Sequence, residues 1–218
     1  MFRVKNEHIK RNSNKNLFIA IAGNVGTGKS TFTKLIGEEL SLDTHYEMVD
    51  GNPYLEDFYS EKESWGFHLQ LYFLAQRFKQ QEEIDSSNTD NIQDRSIYED
   101  VEIFAKNLHD NKIMSDRDYE TYRSIYEDML PRVRKPDLMI YLDGSLDTIL
   151  KRIDLRGRGM EQKTDIEYWR SLHQKYENWI ESCDSSPVLY INIDKVDLIE
   201  KPEQIKLLCK EIKKVVGL

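Results

Sequence analysis

A glycine-rich segment near the amino terminus has the residue types of a phosphate site. It reads Gly23, Asn24, Val25, Gly26, Thr27, Gly28, Lys29 and Ser30, which satisfies GxxxxGK[ST]. A strand-like run, LFIAIA, precedes it, and a helix-like run, STFTKLIGEEL, follows it. In that context backbone N–H groups wrap an anion, Lys29 reaches the β and γ phosphates, and the Ser30 hydroxyl ligates Mg²⁺. The segment therefore predicts an ATP or GTP site, in which we include Thr31.

The chemistry of the acceptor decides which other residue types are needed. A neutral alcohol benefits from a carboxylate that takes its proton, whereas a phosphate acceptor is already anionic. Glu47 closes the short apolar run near Tyr46 to Val49, and ligands bind at strand carboxyl ends in open parallel sheets. Taken alone, Glu47 is more simply interpreted as a solvated loop acid.

The arrangement of apolar runs predicts the fold that positions these groups. Short runs at residues 17–22, 46–49, 91–94, 138–142 and 188–193 alternate with longer helical segments. This alternation predicts a parallel sheet with helices on both faces. Together with the family resemblance given below, it predicts an α/β fold of the P-loop NTPase type with five parallel strands in the order 2-3-1-4-5. Residues 1–16 are polar and basic and are expected to form a flexible tail, so residues 17–218 form a single domain.

Composition argues against several partners. The formal charge of -8 disfavours nucleic acid and anionic membranes, because both would be repelled. No apolar run approaches the roughly 20 residues that span a bilayer, so we expect a cytoplasmic protein. Cys183 and Cys209 lack CxxC spacing, and both are interpreted as small apolar side chains rather than as a zinc site.

The segment from Trp65 to Lys79 has more apolar residues than one buried helix face needs. Two stripes result from projection at 100° per residue. They are Phe67, Leu71, Leu74 and Phe78 on one side, and Trp65, Leu69 and Tyr72 on the other. One stripe suits the sheet, and the other suits a helix of the same chain or of a second copy. A homodimer is therefore one expectation.

Six segments in this order resemble the deoxynucleoside kinase family, and within it the bacterial deoxyadenosine/deoxycytidine kinases. They are AGNVGTGKS, YEMVDGNPYLEDFY, WGFHLQLYFLAQRF, QDRSIYEDVEIFAKNLH, PDLMIYLDGS and RIDLRGRGMEQ. The resemblance runs from about residue 17 to residue 193. It implies transfer of the ATP γ-phosphate to the 5′-hydroxyl of a deoxynucleoside in nucleotide salvage.

The resemblance assigns catalytic roles to three residues. Glu47 becomes the general base, with Met48 where relatives often have proline. Asp94 holds Mg²⁺ together with Ser30, and because many relatives have Glu at this position, the shorter Asp suggests a contact through water. Arg95 contacts both the reacting oxygen and the phosphoryl group.

The resemblance also assigns the nucleoside pocket. Gln70 pairs with the base, Arg77 and Asp100 flank it as an ion pair, and Tyr59 contacts the sugar 3′-hydroxyl. Gln70 and Arg77 are seven residues apart and therefore project from the same side of a helix.

Residues 152–161 resemble the lid of this family, and we use that name for them below. Arg156 and Arg158 are expected to contact the phosphates, with Arg152 in support, and Glu161 to reach the 3′-hydroxyl when the lid closes. Such closure excludes water, which would otherwise hydrolyse ATP. A solvated basic loop is the alternative interpretation.

Two other functions stay open on sequence alone. A nucleoside monophosphate kinase such as a thymidylate kinase shares the phosphate loop, a DR motif and an Arg-rich lid, but does not need Glu47. A nucleotide-dependent regulator would use the same loop without a small acceptor, although no NKxD motif is present. The resemblance favours deoxyadenosine and deoxycytidine, and each of these presents an exocyclic amine beside a ring acceptor with which one Gln70 amide could pair.

Overall fold

A computed structural model describes residues 2–9, 15–184 and 186–218. The strands are β1 Phe2–Lys5, β2 Phe18–Ala22, β3 Asp43–His45, β4 Asn91–Asp94, β5 Leu138–Asp143 and β6 Val188–Asn192. The α-helices are α1 Lys29–Leu40, α2 Leu55–Ser60, α3 Lys62–Ser86, α4 Ile97–Glu99, α5 Lys106–Asp110, α6 Asp116–Met129, α7 Leu146–Arg156, α8 Gly159–Gln162, α9 Ile166–Ser182 and α10 Glu203–Val216. A π-helix, Asp100–Ala105, joins α4 to α5, and a 3₁₀ turn, Leu130–Arg132, follows α6.

The strands form one sheet of order β1-β6-β5-β2-β4-β3. Strands β2 to β6 are parallel, and their order agrees with the prediction. The strands β2, β5 and β6 are almost wholly apolar and buried, as parallel strands covered on both faces must be. Helices α1 and α10 pack on one face, and α7 and α9 pack on the other.

The prediction of a purely parallel, five-stranded sheet was wrong. β1 adds a sixth strand, antiparallel to β6, at the edge of the sheet. Phe2 and Val4 pack on the core, Arg3 lies over the ring of Tyr190, and the Lys5 amine donates to the Ile180 carbonyl. A polar segment can therefore form an edge strand, because only alternate side chains need burial. The expected flexible tail thus does not hold for residues 2–5, while residues 10–14 lie outside the described residues.

The second predicted strand is displaced along the chain. β3 ends at His45, so Glu47 lies two residues past the strand, in the loop that leads to α2. The apolar character of residues 46–49 comes from the cavity that this loop lines, because Tyr46 and Val49 both face it. The position at the carboxyl edge of the sheet is as expected.

Helix α3 also turns a different face inward than the apolar stripes predict. Its buried residues are Gly66, Leu69, Gln70, Leu74, Arg77, Gln81 and Ile84. Phe67, Leu71 and Phe78 are only half-buried. Polar residues displace apolar ones here because this face packs on the π-helix and on the functional cavity rather than on a purely apolar core. Along the described ranges, no helix is long and apolar enough to cross a membrane.

Candidate active site

A cavity of about 780 Å³ opens at the carboxyl ends of the parallel strands. The predicted site residues on its wall are Val25, Gly26, Gly28, Lys29, Ser30, Thr31, Glu47, Tyr59, Gln70, Asp94, Arg95, Asp100, Arg152, Arg156, Arg158 and Glu161. The predicted residues off its wall are Gly23, Asn24, Thr27 and Arg77. The fold therefore brings the phosphate loop, the acceptor residues and the lid together around one space.

The phosphate loop has a backbone that only glycine adopts easily at two positions. Gly26 and Gly28 have φ values of 83° and 90°. A Cβ on Gly26 would lie 2.9 Å from the Ile149 carbonyl oxygen. Asn24 and Thr27 shape the loop from behind, since the Thr27 hydroxyl donates to the Asn24 carbonyl at 2.8 Å. The open N–H groups of this loop suit an anion.

Lys29 lies buried at the centre of the loop, where its Nζ donates to the carbonyls of Gly23 (2.9 Å) and Asn24 (3.1 Å). Burial and the nearby Arg95 charge together lower its pKa to about 8, against the opposing effect of the carboxylates around it. A triphosphate would restore the counter-charge that this amine lacks.

Ser30 and Asp94 provide oxygen ligands suited to Mg²⁺. The Ser30 hydroxyl donates to Asp94 Oδ2 at 2.5 Å, and Asp94 Oδ1 is buried and has no hydrogen-bond partner among the described residues. An unpaired buried carboxylate oxygen beside a hydroxyl and the phosphate loop fits a hard cation that keeps several waters. The residues therefore fit the predicted metal.

Four charged residues, Glu47, Arg77, Arg95 and Asp100, form what we call the acceptor cluster. Glu47 Oε1 lies 2.7 Å from Arg95 Nε and 3.2 Å from Arg77 Nη2. The Arg95 contact is an ion pair whose direction is poor for a hydrogen bond. Although partial burial opposes ionisation, the two guanidinium groups hold the pKa of Glu47 at about 2. The carboxylate is therefore ionised at neutral pH.

Arg77 connects the two carboxylates of the cluster. Its Nε donates to Asp100 Oδ2 at 3.3 Å, and its Nη1 donates to the Asp94 carbonyl at 2.9 Å. Burial raises the pKa of Asp100 to about 6, against the opposing effect of the Arg77 charge. The predicted Arg77–Asp100 pair is present. Arg77 also contacts Glu47. Removal of the Arg77 side chain would therefore disturb Glu47 as well as the predicted contact with the nucleobase.

Asp100 opens the π-helix, and Gln70 projects from α3 into the same cavity. Such π segments are frequent at functional sites, because the extra residue re-aims the side chains that follow. Both side chains are buried. A donor-acceptor amide and a carboxylate thus face one apolar chamber.

Sequence reasoning missed Glu99, a fully buried carboxylate that ties Arg95 in place. Its Oε1 accepts hydrogen bonds from the Gly23 N–H (3.2 Å) and the Tyr176 hydroxyl (2.8 Å). Its Oε2 accepts from the Ser96 N–H at 2.7 Å. Arg95 donates to the Tyr176 oxygen at 2.6 Å and holds a left-handed backbone with φ of 70°. The S-x-x-E capping pattern of Ser96 and Glu99 was the available signal.

The lid begins at the end of α7, where Gly157 has a left-handed conformation. Arg156 donates to Glu161 Oε1 at 2.5 Å, and Arg158 does so at 3.5 Å. Glu161 is buried, and its Oε2 has no hydrogen-bond partner in the part of the chain that the structure describes. Arg152 instead donates to the Thr27 carbonyl at 3.0 Å, which anchors α7 to the phosphate loop. The structure thus places the lid arginines on the cavity wall and pairs them with Glu161.

A family model for deoxynucleoside kinases matches residues 19–217. The chain belongs to the deoxynucleoside kinase family. It is 46% identical over 215 residues to a deoxyadenosine/deoxycytidine kinase of Bacillus subtilis, an alignment that covers 98% of this chain and 97% of the relative. It is 38% identical to a deoxyadenosine kinase of Dictyostelium discoideum, over 93% of this chain and 82% of the relative.

A solved structure is similar as well. The deoxyadenosine kinase of M. mycoides, with products dCMP and a flexible dCDP bound, superposes with a TM-score of 0.81 at 32% identity. That superposition covers 91% of this chain and 100% of the other. This chain is therefore a kinase of the deoxynucleoside kinase family.

For a deoxynucleoside kinase, the missed wall residues divide by position. Eight are apolar or aromatic side chains: Tyr46, Val49, Leu55, Phe58, Leu69, Phe73, Phe104 and Tyr168. A second group, residues 196–200, follows β6 at the far end of the cavity near Arg152 and Leu155. Apolar residues carry no chemical signal in sequence, because burial in a core explains them equally well.

Proposed function

We propose that this kinase moves the γ-phosphoryl group of ATP to the 5′-hydroxyl of deoxyadenosine or deoxycytidine. The observation that carries the proposal is the acceptor cluster. A carboxylate that is ionised and 19% exposed shares one cavity with the phosphate loop and with a buried Gln70. The extensive similarity to deoxyadenosine/deoxycytidine kinases supports the choice of acceptor.

The residues divide the work as follows. Glu47 accepts the 5′-hydroxyl proton at a carboxylate oxygen. Arg95 stays cationic, since the Glu47 charge raises its pKa despite burial, and stabilises charge on the phosphoryl oxygens. A carboxylate with a pKa of about 2 is a weak base, which suits a loose transition state in which the hydroxyl loses its proton late.

The donor side holds charge and excludes water. The phosphate loop and Lys29 bind the triphosphate, and Ser30 and Asp94 hold Mg²⁺, which neutralises charge on the phosphate oxygens when bound. Arg156 and Arg158 leave Glu161 for the phosphates as the lid closes. Glu161 then accepts a hydrogen bond from the sugar 3′-hydroxyl, and the Tyr59 hydroxyl contacts the oxygen of the same group. The unpartnered Glu161 Oε2 supports this role.

An acceptor assay with each deoxynucleoside and each deoxynucleoside monophosphate, with ATP and Mg²⁺, tests the proposal. Phosphorylation of deoxyadenosine or deoxycytidine supports it. Activity with monophosphates alone would favour a thymidylate kinase-like function, and ATP binding without any acceptor would favour a regulator. Deoxyguanosine is expected to be a poorer acceptor, because its base edge requires Gln70 to rearrange.

We also propose a homodimer through the half-buried apolar face of α3. Phe67, Leu71 and Phe78 lie along one side of that helix and are not fully covered by the chain itself. Light scattering after size exclusion tests this: a mass of twice 25.9 kDa supports the dimer, and a monomeric mass at assay concentration contradicts it. A cytoplasmic location, and the absence of nucleic-acid and membrane partners, stay predictions.

A further inference from the structure

Three glutamine side chains form a chain of hydrogen bonds that ends beside Glu47. Gln81 Nε2 donates to Gln93 Oε1 at 2.7 Å, and Gln93 Nε2 donates to Gln80 Oε1 at 3.0 Å. Gln80 Nε2 then donates to the Tyr46 carbonyl at 2.7 Å. We call this chain the amide relay.

The relay connects rigid elements to the loop that carries Glu47. Gln93 is fully buried on strand β4, between β2 and β3 in the sheet, and Gln80 and Gln81 belong to the 25-residue helix α3. Tyr46 is the first residue beyond β3, and its carbonyl belongs to the peptide unit that leads into Glu47. An amide both donates and accepts, so the three side chains align in one direction and present a fixed N–H to that carbonyl.

The loop beyond Tyr46 has little other support on its main chain. The Val49 N–H donates to the Glu47 carbonyl at 2.9 Å, which closes a three-residue turn around Met48. Among the described residues the Met48 N–H donates no hydrogen bond. Arg77 and Arg95 form ion pairs with the carboxylate of Glu47. In the proposed function, Arg95 also contacts the reacting oxygen. These ion pairs do not fix the backbone of Glu47, which depends on hydrogen bonds to the peptide units around it.

We propose that Gln80 and Gln93 are positioning residues that hold Glu47 at the acceptor hydroxyl by fixing the Tyr46 carbonyl, a role that rests on the proposed function of Glu47. Neither side chain touches the reacting atoms, and neither lines the cavity. Their effect is expected on kcat rather than on ATP binding, since a misplaced base affects only the transition state.

Gln80→Ala is the primary variant, because Gln80 is half-buried and its removal leaves Gln93 accessible to water. One lost hydrogen bond predicts about a fivefold fall in kcat, with the KM for ATP unchanged. Gln80→Glu keeps an acceptor for Gln93 but cannot donate to Tyr46, so it should lose at least as much. Gln76→Ala is the control, since Gln76 lies one turn earlier on α3 and makes no side-chain hydrogen bond within the described ranges.

Met48→Pro provides a rescue. The three-residue turn at Met48 is of the inverse type, because Met48 is absent from the residues with positive φ. The central residue of an inverse turn has a φ of roughly −75°, close to the −65° that proline fixes. Among the described residues the Met48 N–H donates no hydrogen bond that proline would remove. A stiffened loop should therefore restore most of the kcat that Gln80→Ala loses, while Met48→Pro alone stays near wild type.

The decisive measurements are kcat for the four variants and the double variant, the KM for ATP, thermal stability, and hydrogen exchange of the Val49 N–H. A fall in kcat with rescue by Met48→Pro, and faster Val49 exchange in Gln80→Ala, support the relay. Unchanged kcat, or a loss that tracks a larger drop in stability than that of Gln76→Ala and is not rescued, overturns it. If the wild type phosphorylates no deoxynucleoside, the proposed function fails, while unchanged Val49 exchange alone would overturn the relay.

Discussion

The acceptor cluster and the lid carry arginine and carboxylate groups of the same kind, yet they differ in how fixed they are. Arg77 and Arg95 are almost completely buried, and their three ion pairs with Glu47 and Asp100 range from 2.7 to 3.3 Å. Arg156 and Arg158 are 38% and 32% exposed at the side chain and share one carboxylate, Glu161. Leu155 between them and Arg152 is 85% exposed.

The difference separates two tasks. The acceptor cluster is organised before any substrate binds, because its charges are buried together and each guanidinium has several acceptors. Within the described residues, Arg156 and Arg158 share one acceptor, Glu161, and both are partly exposed to solvent. Exchanging Glu161 for a phosphate should therefore require little free energy. A pre-formed base and a movable cover suit an enzyme that must admit two substrates and then exclude water. The predictions below test this division, beginning with the largest effect.

Glu47→Gln should give the largest loss of turnover. The substitution keeps the side-chain volume but removes the proton acceptor, and general-base catalysis contributes roughly 10²- to 10⁴-fold. A loose transition state places the expected loss in kcat nearer ~10². Steady-state kinetics together with an ATP-binding titration measures it.

Two outcomes would contradict that assignment. Retention of most of kcat in Glu47→Gln would remove the general-base role. Joint loss of ATP binding would show that Glu47 acts through the metal site or the fold. Glu82→Gln, an exposed change on α3, is the control for a lost carboxylate.

Arg158→Ala or Arg156→Ala should have the next largest effect and a different signature. A hydrogen bond to a charged group is worth about 1.5 to 3 kcal/mol, so kcat should fall by roughly 10- to 100-fold. If the lid excludes water as proposed, the ratio of ADP to nucleoside monophosphate should rise above one in these variants.

In Glu47→Gln the ratio of ADP to nucleoside monophosphate should stay at one, because this substitution leaves the lid unchanged. Arg123→Ala, which breaks an exposed pair with Glu127 on α6, is the control. If the ratio of ADP to nucleoside monophosphate is the same in the lid variants and in the control, residues 152–161 do not shield the reaction from water.

The glycine motif of the phosphate loop can be recognised in the sequence without a family resemblance, whereas the acceptor cluster cannot. The difference has a physical reason. Phosphate binding uses backbone N–H groups on a contiguous loop, so glycine spacing alone encodes Gly26, Gly28 and Lys29. The acceptor cluster joins residues up to 53 positions apart, such as Glu47 and Asp100, through side chains. Only resemblance to a family could assemble it.

The errors have a similar origin. The inward face of α3 carries Gln70, Arg77 and Gln81, and a periodicity that counts apolar residues cannot find a face whose partner is a polar cavity. The edge strand β1 went unrecognised because Arg3 and Lys5 make it look like a tail. Their side chains lie against Tyr190 and the end of α9, where alternation and cation–π contact make such residues favourable.

Tyr176→Phe should have a smaller effect, on the support of Arg95. The hydroxyl donates to Glu99 and accepts from Arg95, so its loss leaves a buried carboxylate and a guanidinium each one contact short. We expect a fall in stability of about 1 to 3 kcal/mol and a several-fold fall in kcat. Chemical denaturation and kinetics on Tyr176→Phe measure both, with Tyr119→Phe as control, since Tyr119 is half-buried on α6 and its hydroxyl makes no hydrogen bond within the described residues. A variant with normal kcat would show that Arg95 is held without this hydroxyl.

The smallest effect on kcat concerns pH, which acts mainly on the nucleoside KM and separates the two carboxylates of the acceptor cluster. Burial raises the pKa of Asp100 from its ordinary value near 3.8 to about 6, whereas that of Glu47 is about 2. As pH falls through 6, Asp100 gains a proton and its pair with Arg77 loses its charge, while Glu47 stays ionised. The KM for the nucleoside should therefore rise about tenfold from pH 8 to pH 5, with the kcat at saturation changing less.

The free energy of unfolding should change in the opposite direction, because protonation of Asp100 weakens nucleoside binding but stabilises the fold. A raised folded-state pKa means that the protonated carboxyl stabilises the fold: the contribution is fully present below about 3.8 and is lost as pH rises through about 6. Because other acids titrate in that window, the measure is the difference between wild type and Asp100→Asn, in unfolding free energy and in nucleoside KM, from pH 4 to pH 8. Asp100→Asn should remove the inflection from both curves. An inflection near pH 6 that survives in Asp100→Asn would assign it to another group and leave Asp100 ionised throughout.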